Sequence, residues 1–153
     1  MLTLWFKLVV KKEMQGECFL VNFADDFVAG FQYKSEAERY YKELKERMEK
    51  FGLELESSKS RLIEFGRFAE QNRRARGEHK PETFDFLGFT FYCSKNRKGG
   101  FAPKVQTSRK KFEQKVRAYK NWIYDNRNRP MREIIKELNV KLIGHYRYYG
   151  CLL

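Results

Sequence analysis

Cysteines are few and long apolar runs are missing in this sequence of 153 residues. The three cysteines, Cys18, Cys93 and Cys151, are far apart and form no CxxC pair, which argues against a disulfide framework or a zinc site. No run of about 18 apolar residues occurs, which excludes a transmembrane helix. The opening MLTLWFKLVVKKEMQGE is too polar for a secretory signal and lacks a small-residue cleavage site. We therefore expect a cytoplasmic protein without a membrane partner.

Acidic residues are scarce in the last 63 residues. Residues 1–90 contain 16 Lys and Arg and 16 Asp and Glu, whereas residues 91–153 contain 16 Lys and Arg against four acidic residues. The whole net charge of +12 therefore belongs to the C-terminal part. A neutral region joined to a strongly basic one predicts a polyanionic partner, most simply nucleic acid, although a basic surface without a partner is the alternative.

Hydrophobic patterning predicts a small α+β region followed by basic helices. Residues 2–12 have the pattern of the end of a helix, and ECFLVNF and FVAGFQY are typical of strands joined in a hairpin. A helix follows, with Ser35 and Glu38 as a capping box, an apolar face from Ala37 to Phe51, and Gly52 just past its end.

The second half continues with strand-like and then helical patterns. RLIEFGRF and TFDFLGFTFYC resemble strands, and the polar segment AEQNRRARGEHKPE between them predicts a mobile loop. SKNRKGG predicts a basic turn into FAPKVQ. From Thr107 the spacing is helical, and Pro130 is expected in the first turn of a second helix, whose apolar stripe runs from Met131 to Tyr149. On this stripe we expect His145 and Tyr149 to pack in a core rather than to stack on bases.

Two adjacent carboxylates, Asp25 and Asp26, lie between the first two predicted strands. A hairpin tip of this kind could present both to one Mg²⁺ ion, which prefers hard oxygen ligands. Two such ions about 4 Å apart can activate a 3′ hydroxyl and stabilise a leaving pyrophosphate. Because aspartate is also common in turns, a purely structural turn is the alternative.

The residues around this pair resemble a known family. FADD followed by FV is similar to the Tyr/Phe-Ala-Asp-Asp motif of reverse transcriptases. KFGLELESSKSRLIEFGRFA, FDFLGFTFYCSKNRKGGF, TSRKKFEQKVRAYKNWI and LNVKLIGHYRYYG resemble, in order, later blocks of group II intron-encoded reverse transcriptases, also called maturases. The resemblance extends over residues 4–150 and implies residues 1–91 as the C-terminal part of a polymerase palm, 92–106 as a basic connector and 107–153 as a helical thumb or maturase domain.

This resemblance implies roles for particular residues. Asp25 and Asp26 would be catalytic and bind Mg²⁺, and Phe23, in place of the commoner Tyr, would pack beside the template and primer. Lys59 would lie near the incoming triphosphate as a candidate proton donor to pyrophosphate, with a surface lysine as the alternative. Phe86, Leu87 and Gly88 would form the primer grip, where a glycine allows close approach of the primer backbone.

The resemblance also implies how the basic region would be used. Cations of the thumb would follow the phosphates of an RNA template, an RNA–DNA duplex or intron RNA without reading the sequence. The candidate residues are Lys104, Arg109, Lys110, Lys111, Lys115, Arg117, Lys120 and Arg147.

A further catalytic aspartate, which reverse transcriptases supply from an earlier strand, has no candidate before residue 23, where Glu13 and Glu17 are the only acids. We therefore expect an incomplete two-metal site and no primer extension by this chain alone. A missing fingers and palm half is one candidate partner, and self-association through an apolar sheet edge is a further candidate interaction. The alternative function is a non-catalytic maturase-like module that binds intron RNA.

Overall fold

The structure is a computed structural model that describes residues 2–56 and 58–150. The chain divides into two compact units, Met1–Glu64 (unit 1) and Phe65–Leu153 (unit 2). Helices and antiparallel sheets occur together, which confirms the predicted α+β class. The predicted boundaries at residues 91 and 106 both lie within unit 2, and the functional regions that they delimit remain a prediction.

Unit 1 begins with a continuous helical segment, as predicted. It consists of α1 (Leu2–Trp5), a π-helical turn (Phe6–Val10) and α2 (Lys11–Glu13). Trp5, Phe6 and Val10 are buried, and Leu4 and Leu8 lie on the exposed side.

The predicted hairpin is confirmed as β1 (Cys18–Phe23) paired with β2 (Asp26–Phe31). Because side chains alternate along a strand, one face of this two-stranded sheet carries Cys18 and Leu20 toward the core of unit 1. The opposite face carries three large apolar side chains that are exposed: Phe19, Val21 and Phe23.

The longest helix of unit 1 is α3 (Lys34–Lys50), which covers the inner face of the hairpin. Its apolar residues Tyr40 and Leu44 are buried, and the Tyr40 ring stacks on Trp5 with a centroid distance of 5.6 Å. Gly52 has φ of +67°, which confirms the predicted left-handed end of the helix. The predicted capping box is wrong, because the helix begins one residue before Ser35 and no side chain caps it.

Unit 2 contains a three-stranded antiparallel sheet in sequential order. Its strands are β3 (Phe84–Phe86), β4 (Phe89–Lys95) and β5 (Phe101–Thr107). The TFDFLGFTFYC segment therefore forms strands as predicted, whereas the strand at FAPKVQ, within the predicted basic connector, was not predicted. Phe84 stacks on its cross-strand partner Phe91 with ring centroids 5.0 Å apart.

Two predictions for residues 61–82 are wrong. RLIEFGRF is not a strand, because Phe65 packs its ring edge-on against Phe84 of the sheet while its own backbone joins no strand. The expected mobile loop contains the helix α4 (Ala69–Ala75), whose first residue is buried. An i,i+4 pair between Arg74 and Glu70, 3.7 Å apart, supports this short helix.

The C-terminal half of unit 2 is an antiparallel pair of helices, α5 (Arg109–Asp125) and α6 (Met131–Tyr149). Tyr119 of α5 donates a hydrogen bond of 3.2 Å to the carbonyl oxygen of Lys141 in α6. Both predicted helices are confirmed, but Pro130 precedes α6 as its N-cap instead of lying in its first turn. Among the described residues, no helix is both long and apolar enough to cross a membrane.

Candidate active site and nucleic-acid surface

The two candidate catalytic carboxylates lie at the tip of the β1–β2 hairpin. Phe23 pairs with Asp26, so Ala24 and Asp25 alone form the connecting turn. Ala24 adopts φ of +51°, a left-handed conformation that non-glycine residues seldom adopt and that tight two-residue turns require. Both Asp25 and Asp26 are exposed, so the turn presents two neighbouring carboxylates to solvent.

These carboxylates fit part of a divalent metal site. Neither has an ion-pair or hydrogen-bond partner within the part of the chain that the structure describes, so their oxygens are available as ligands. Mg²⁺ commonly binds through one or two carboxylates and completes its coordination with water and substrate phosphates. Across residues 2–56 and 58–150, no group of three or more His, Cys, Asp or Glu side chains could hold a metal ion. The hairpin tip thus supplies a partial ligand set.

Lys59, predicted from the resemblance, comes close enough to Asp26 to interact with it electrostatically. A hydrogen bond and ion pair to Glu56, with Nζ and Oε2 2.6 Å apart, raise the pKa of Lys59, and the charge of Asp26 raises it further. Ser58 donates a hydrogen bond of 2.7 Å to the other oxygen of Glu56. Glu56 and Asp26 therefore both favour the charged form of the lysine.

Glu56 contacts the candidate site residue Lys59, and the sequence reasoning missed it. Its signal in the sequence is the i,i+3 spacing of a carboxylate and a lysine within one turn, where Ser60 N donates to the Glu56 carbonyl at 2.9 Å. This spacing is common on solvated surfaces, so it becomes informative only once Asp26 is known to be near.

Phe23, the candidate template and primer contact, is 64% exposed. It lies on the outer face of β1 in line with Phe19 and Val21, two residues apart each time. The ring therefore extends an apolar surface that ends beside the carboxylate pair.

The predicted primer-grip residues Phe86, Leu87 and Gly88 form the tight connection from β3 to β4. Phe86 pairs with Phe89, and the two central residues, Leu87 and Gly88, have φ of +52° and +82°. Positive φ at both central positions is the type I′ geometry that suits the twist of a two-residue hairpin.

Two residues distant in sequence, Ser108 and Tyr148, hold this turn in place, and sequence reasoning did not identify them. Tyr148 of α6 donates a hydrogen bond of 2.9 Å to the Leu87 carbonyl, and the Ser108 amide donates one of 2.9 Å to the Gly88 carbonyl. The Ser108 hydroxyl also donates to Asp85 at 2.9 Å, which connects the start of α5 to β3. The turn is thus attached to the start of α5 and to α6.

Most of the predicted nucleic-acid cations are exposed in unit 2. On an α-helix with about 100° per residue, four of them fall within one arc of about 100°, which we call the basic face of α5: Arg109, Lys110, Arg117 and Lys120. Arg109 is paired with Glu113 at 2.8 Å, which reduces its free charge. The other exposed cations of the predicted set lie in β5, on another side of α5 and in α6: they are Lys104, Lys111 and Arg147.

Lys115 differs from the other cations because it belongs to the contact between α5 and α6. Its Nζ lies 3.4 Å from His145 Nδ1 and 4.8 Å from the centre of the Tyr149 ring. The rings of His145 and Tyr149 are in turn 4.7 Å apart. These contacts agree with the predicted packing role of His145 and Tyr149.

The net charges of the two units differ slightly more than those of residues 1–90 and 91–153. Unit 1 has 11 Lys and Arg against 12 Asp and Glu, whereas unit 2 has 21 against eight. Unit 2 therefore carries a net charge of +13 and unit 1 a net charge of −1.

Comparison with known proteins gives the family. A family model described as reverse transcriptase (RNA-dependent DNA polymerase) matches residues 4–91, which is more than half of the chain. No curated protein and no solved structure matches. The match contains the hairpin with Asp25 and Asp26, Lys59 and the β3–β4 turn, and this chain belongs to the reverse transcriptase family of RNA-dependent DNA polymerases.

Proposed function

We propose that this chain is the C-terminal palm and thumb portion of a group II intron-type reverse transcriptase and contributes to two-metal nucleotidyl transfer on an RNA template. The observation that carries the proposal is the hairpin tip, where Asp25 and Asp26 are exposed and without partners while Lys59 lies near. Membership of the reverse transcriptase family and the ordered blocks described above support it.

Each residue at the tip has a distinct part in this proposal. Asp25 and Asp26 would hold Mg²⁺, which when bound stabilises the charge that develops on the reacting phosphate. Lys59, charged through its contact with Glu56, would donate a proton to the leaving pyrophosphate and attract its negative charge. The β3–β4 turn would contact the sugar–phosphate backbone of the primer, and the basic face of α5 would contact that of the RNA–DNA duplex.

Binding of Mn²⁺ in place of Mg²⁺ tests the site in the isolated chain. We expect Mn²⁺ at millimolar concentration to broaden the NMR amide signals of residues 23–27 selectively, because a paramagnetic ion acts only on nearby nuclei. Asp25→Asn should abolish this broadening, whereas the control Asp125→Asn, at an exposed acid of unit 2, should not. Uniform broadening, or the same pattern in Asp25→Asn, would contradict the proposed metal site.

The second candidate function is a maturase-like module that binds intron RNA without catalysis. The net charge of +13 on unit 2 favours it, since this charge alone is sufficient to attract RNA. Salt-sensitive RNA binding together with no selective Mn²⁺ effect at Asp25 and Asp26 would support this function over the first.

A further inference from the structure

The longest stretch of unit 2 without acidic residues contains a basic surface that is not among the predicted sites. Between Asp85 and Glu113 there are 27 residues with seven Lys and Arg and no Asp or Glu. Four of these cations, Lys104, Arg109, Lys110 and Lys111, belong to the predicted nucleic-acid surface. Two others, Arg97 and Lys98, lie in the turn between β4 and β5, residues 96–100, which we call the basic tip.

The basic tip is built as a rigid turn. The Asn96 side-chain oxygen accepts hydrogen bonds from the Lys98 amide at 3.0 Å and the Gly100 amide at 2.9 Å. Asn96 N donates to the Gly100 carbonyl at 2.8 Å, and Gly99 adopts φ of +81°, which a glycine accommodates without strain. Three of the five residues, Asn96, Lys98 and Gly100, are thus connected by hydrogen bonds to one asparagine side chain.

The two cations of the basic tip are not neutralised by the protein. Both Arg97 and Lys98 are exposed, and neither forms an ion pair within the described part of unit 2. Their neighbour Lys95, by contrast, is paired with Glu70 at 3.1 Å. Because the backbone beneath them is already ordered, a ligand would have to order only the two side chains.

We propose that the basic tip is a second contact for the phosphate backbone of an RNA–DNA duplex, separate in sequence from the basic face of α5. A guanidinium can bind a phosphate through two parallel hydrogen bonds, and an ammonium adds a point charge. The tip offers no acidic group, so it suits a continuous polyanion and reads no base sequence. This inference rests on the proposed nucleic-acid binding, which it extends to residues outside the predicted surface.

Binding of a labelled RNA–DNA hybrid across a salt series tests the inference. Arg97→Ala/Lys98→Ala should weaken binding about 5- to 20-fold near 0.1 M salt, and the slope of log K against log salt should flatten by about 1 to 2, as expected for two lost phosphate contacts. The matched control is Lys42→Ala/Lys45→Ala, which removes two exposed charges from α3 of unit 1 and should leave affinity within about twofold of the parent.

The Asn96→Ala variant tests the rigidity of the basic tip separately from its charge. It removes the acceptor that orders the turn but keeps both cations, so it should weaken binding about two- to fivefold while leaving the salt slope unchanged. The exchange Arg97→Lys/Lys98→Arg keeps the charge and should keep the slope. Far-UV circular dichroism of each variant identifies any loss of the fold.

The outcomes distinguish this inference from the function on which it rests. If the parent binds the hybrid in a salt-dependent way and the double alanine variant binds equally well, the basic tip is not a contact, although the proposed function stands. If the parent does not bind at all, the proposed function fails as well. If the double variant loses binding to vesicles of anionic phospholipid but not to the hybrid, the tip is a lipid contact and the inference is overturned.

Discussion

The hydroxyl of Tyr40 is buried in unit 1 and has no hydrogen-bond partner among the described residues. Burial raises the pKa of Tyr40, since the phenolate would have to lose its hydration. Its neighbour Tyr41 differs, because the Tyr41 hydroxyl donates a hydrogen bond of 3.3 Å to the Ser60 carbonyl. The two adjacent tyrosines therefore form a natural pair for measuring the cost of an unpaired hydroxyl.

We predict opposite effects for the two Tyr→Phe substitutions. Tyr40→Phe removes an unpaired buried group and should raise the free energy of unfolding by up to about 1 kcal/mol, whereas Tyr41→Phe removes a bond and should lower it by about 0.5 kcal/mol. Urea denaturation of the three proteins measures both changes. Equal losses in both variants would show that the Tyr40 hydroxyl has a partner.

At the scale of the element, the aromatic and β-branched pattern identified the strands β1 to β4 but not β5. FVAGF and FTFYC became strands because each has a neighbour with which to exchange backbone hydrogen bonds. RLIEF has a similar composition and forms none, since Phe65 contributes only its ring to the sheet. The composition of a segment indicates that it is extended and half-buried. Whether its backbone joins a sheet depends on whether another strand lies next to it.

The contact between α5 and α6 is expected to depend on pH through His145. Burial lowers the pKa of His145, and the nearby charge of Lys115 lowers it further. The folded state therefore releases the His145 proton more easily than the unfolded state does, and stability falls as pH decreases below the ordinary histidine value of about 6.5.

We predict that the free energy of unfolding decreases as the pH falls from about 6.5 to about 5, the range below the ordinary histidine pKa. His145→Gln, which cannot become charged, should reduce this dependence, and the control His79→Gln, at an exposed position, should not. Urea denaturation across this pH range measures the effect. An unchanged pH dependence in His145→Gln would contradict the assigned cause.

At the scale of the whole molecule, charge separates the two units. Unit 2 carries +13 and unit 1 carries −1, so we expect nucleic acid to bind mainly through unit 2. Three exposed cations on one arc of α5, Lys110, Arg117 and Lys120, are suited to a test because none forms an ion pair in the described structure.

We predict that Lys110→Ala/Arg117→Ala/Lys120→Ala weakens binding of unrelated RNA–DNA hybrids by similar factors. The slope of log K against log salt should flatten by about 0.9 for each lost phosphate contact. The control removes three exposed cations of α3 by Lys42→Ala/Lys45→Ala/Lys50→Ala and should bind as the parent does. Fluorescence anisotropy across a salt series measures both, and equal losses in the two triple variants would show a nonspecific effect of net charge.

The sequence by itself determined the α+β class, the β1–β2 hairpin, the helices α3, α5 and α6, and the charge difference along the chain. Each depends on residues close together in sequence, through alternation, helical spacing or turn chemistry. Only the tertiary structure decided which residues surround the candidate site. The proximity of Lys59 to Asp26, and the bonds from Ser108 and Tyr148 to the β3–β4 turn, join residues 20 to 61 positions apart. No local pattern encodes such pairs, because they form only when separate elements pack together.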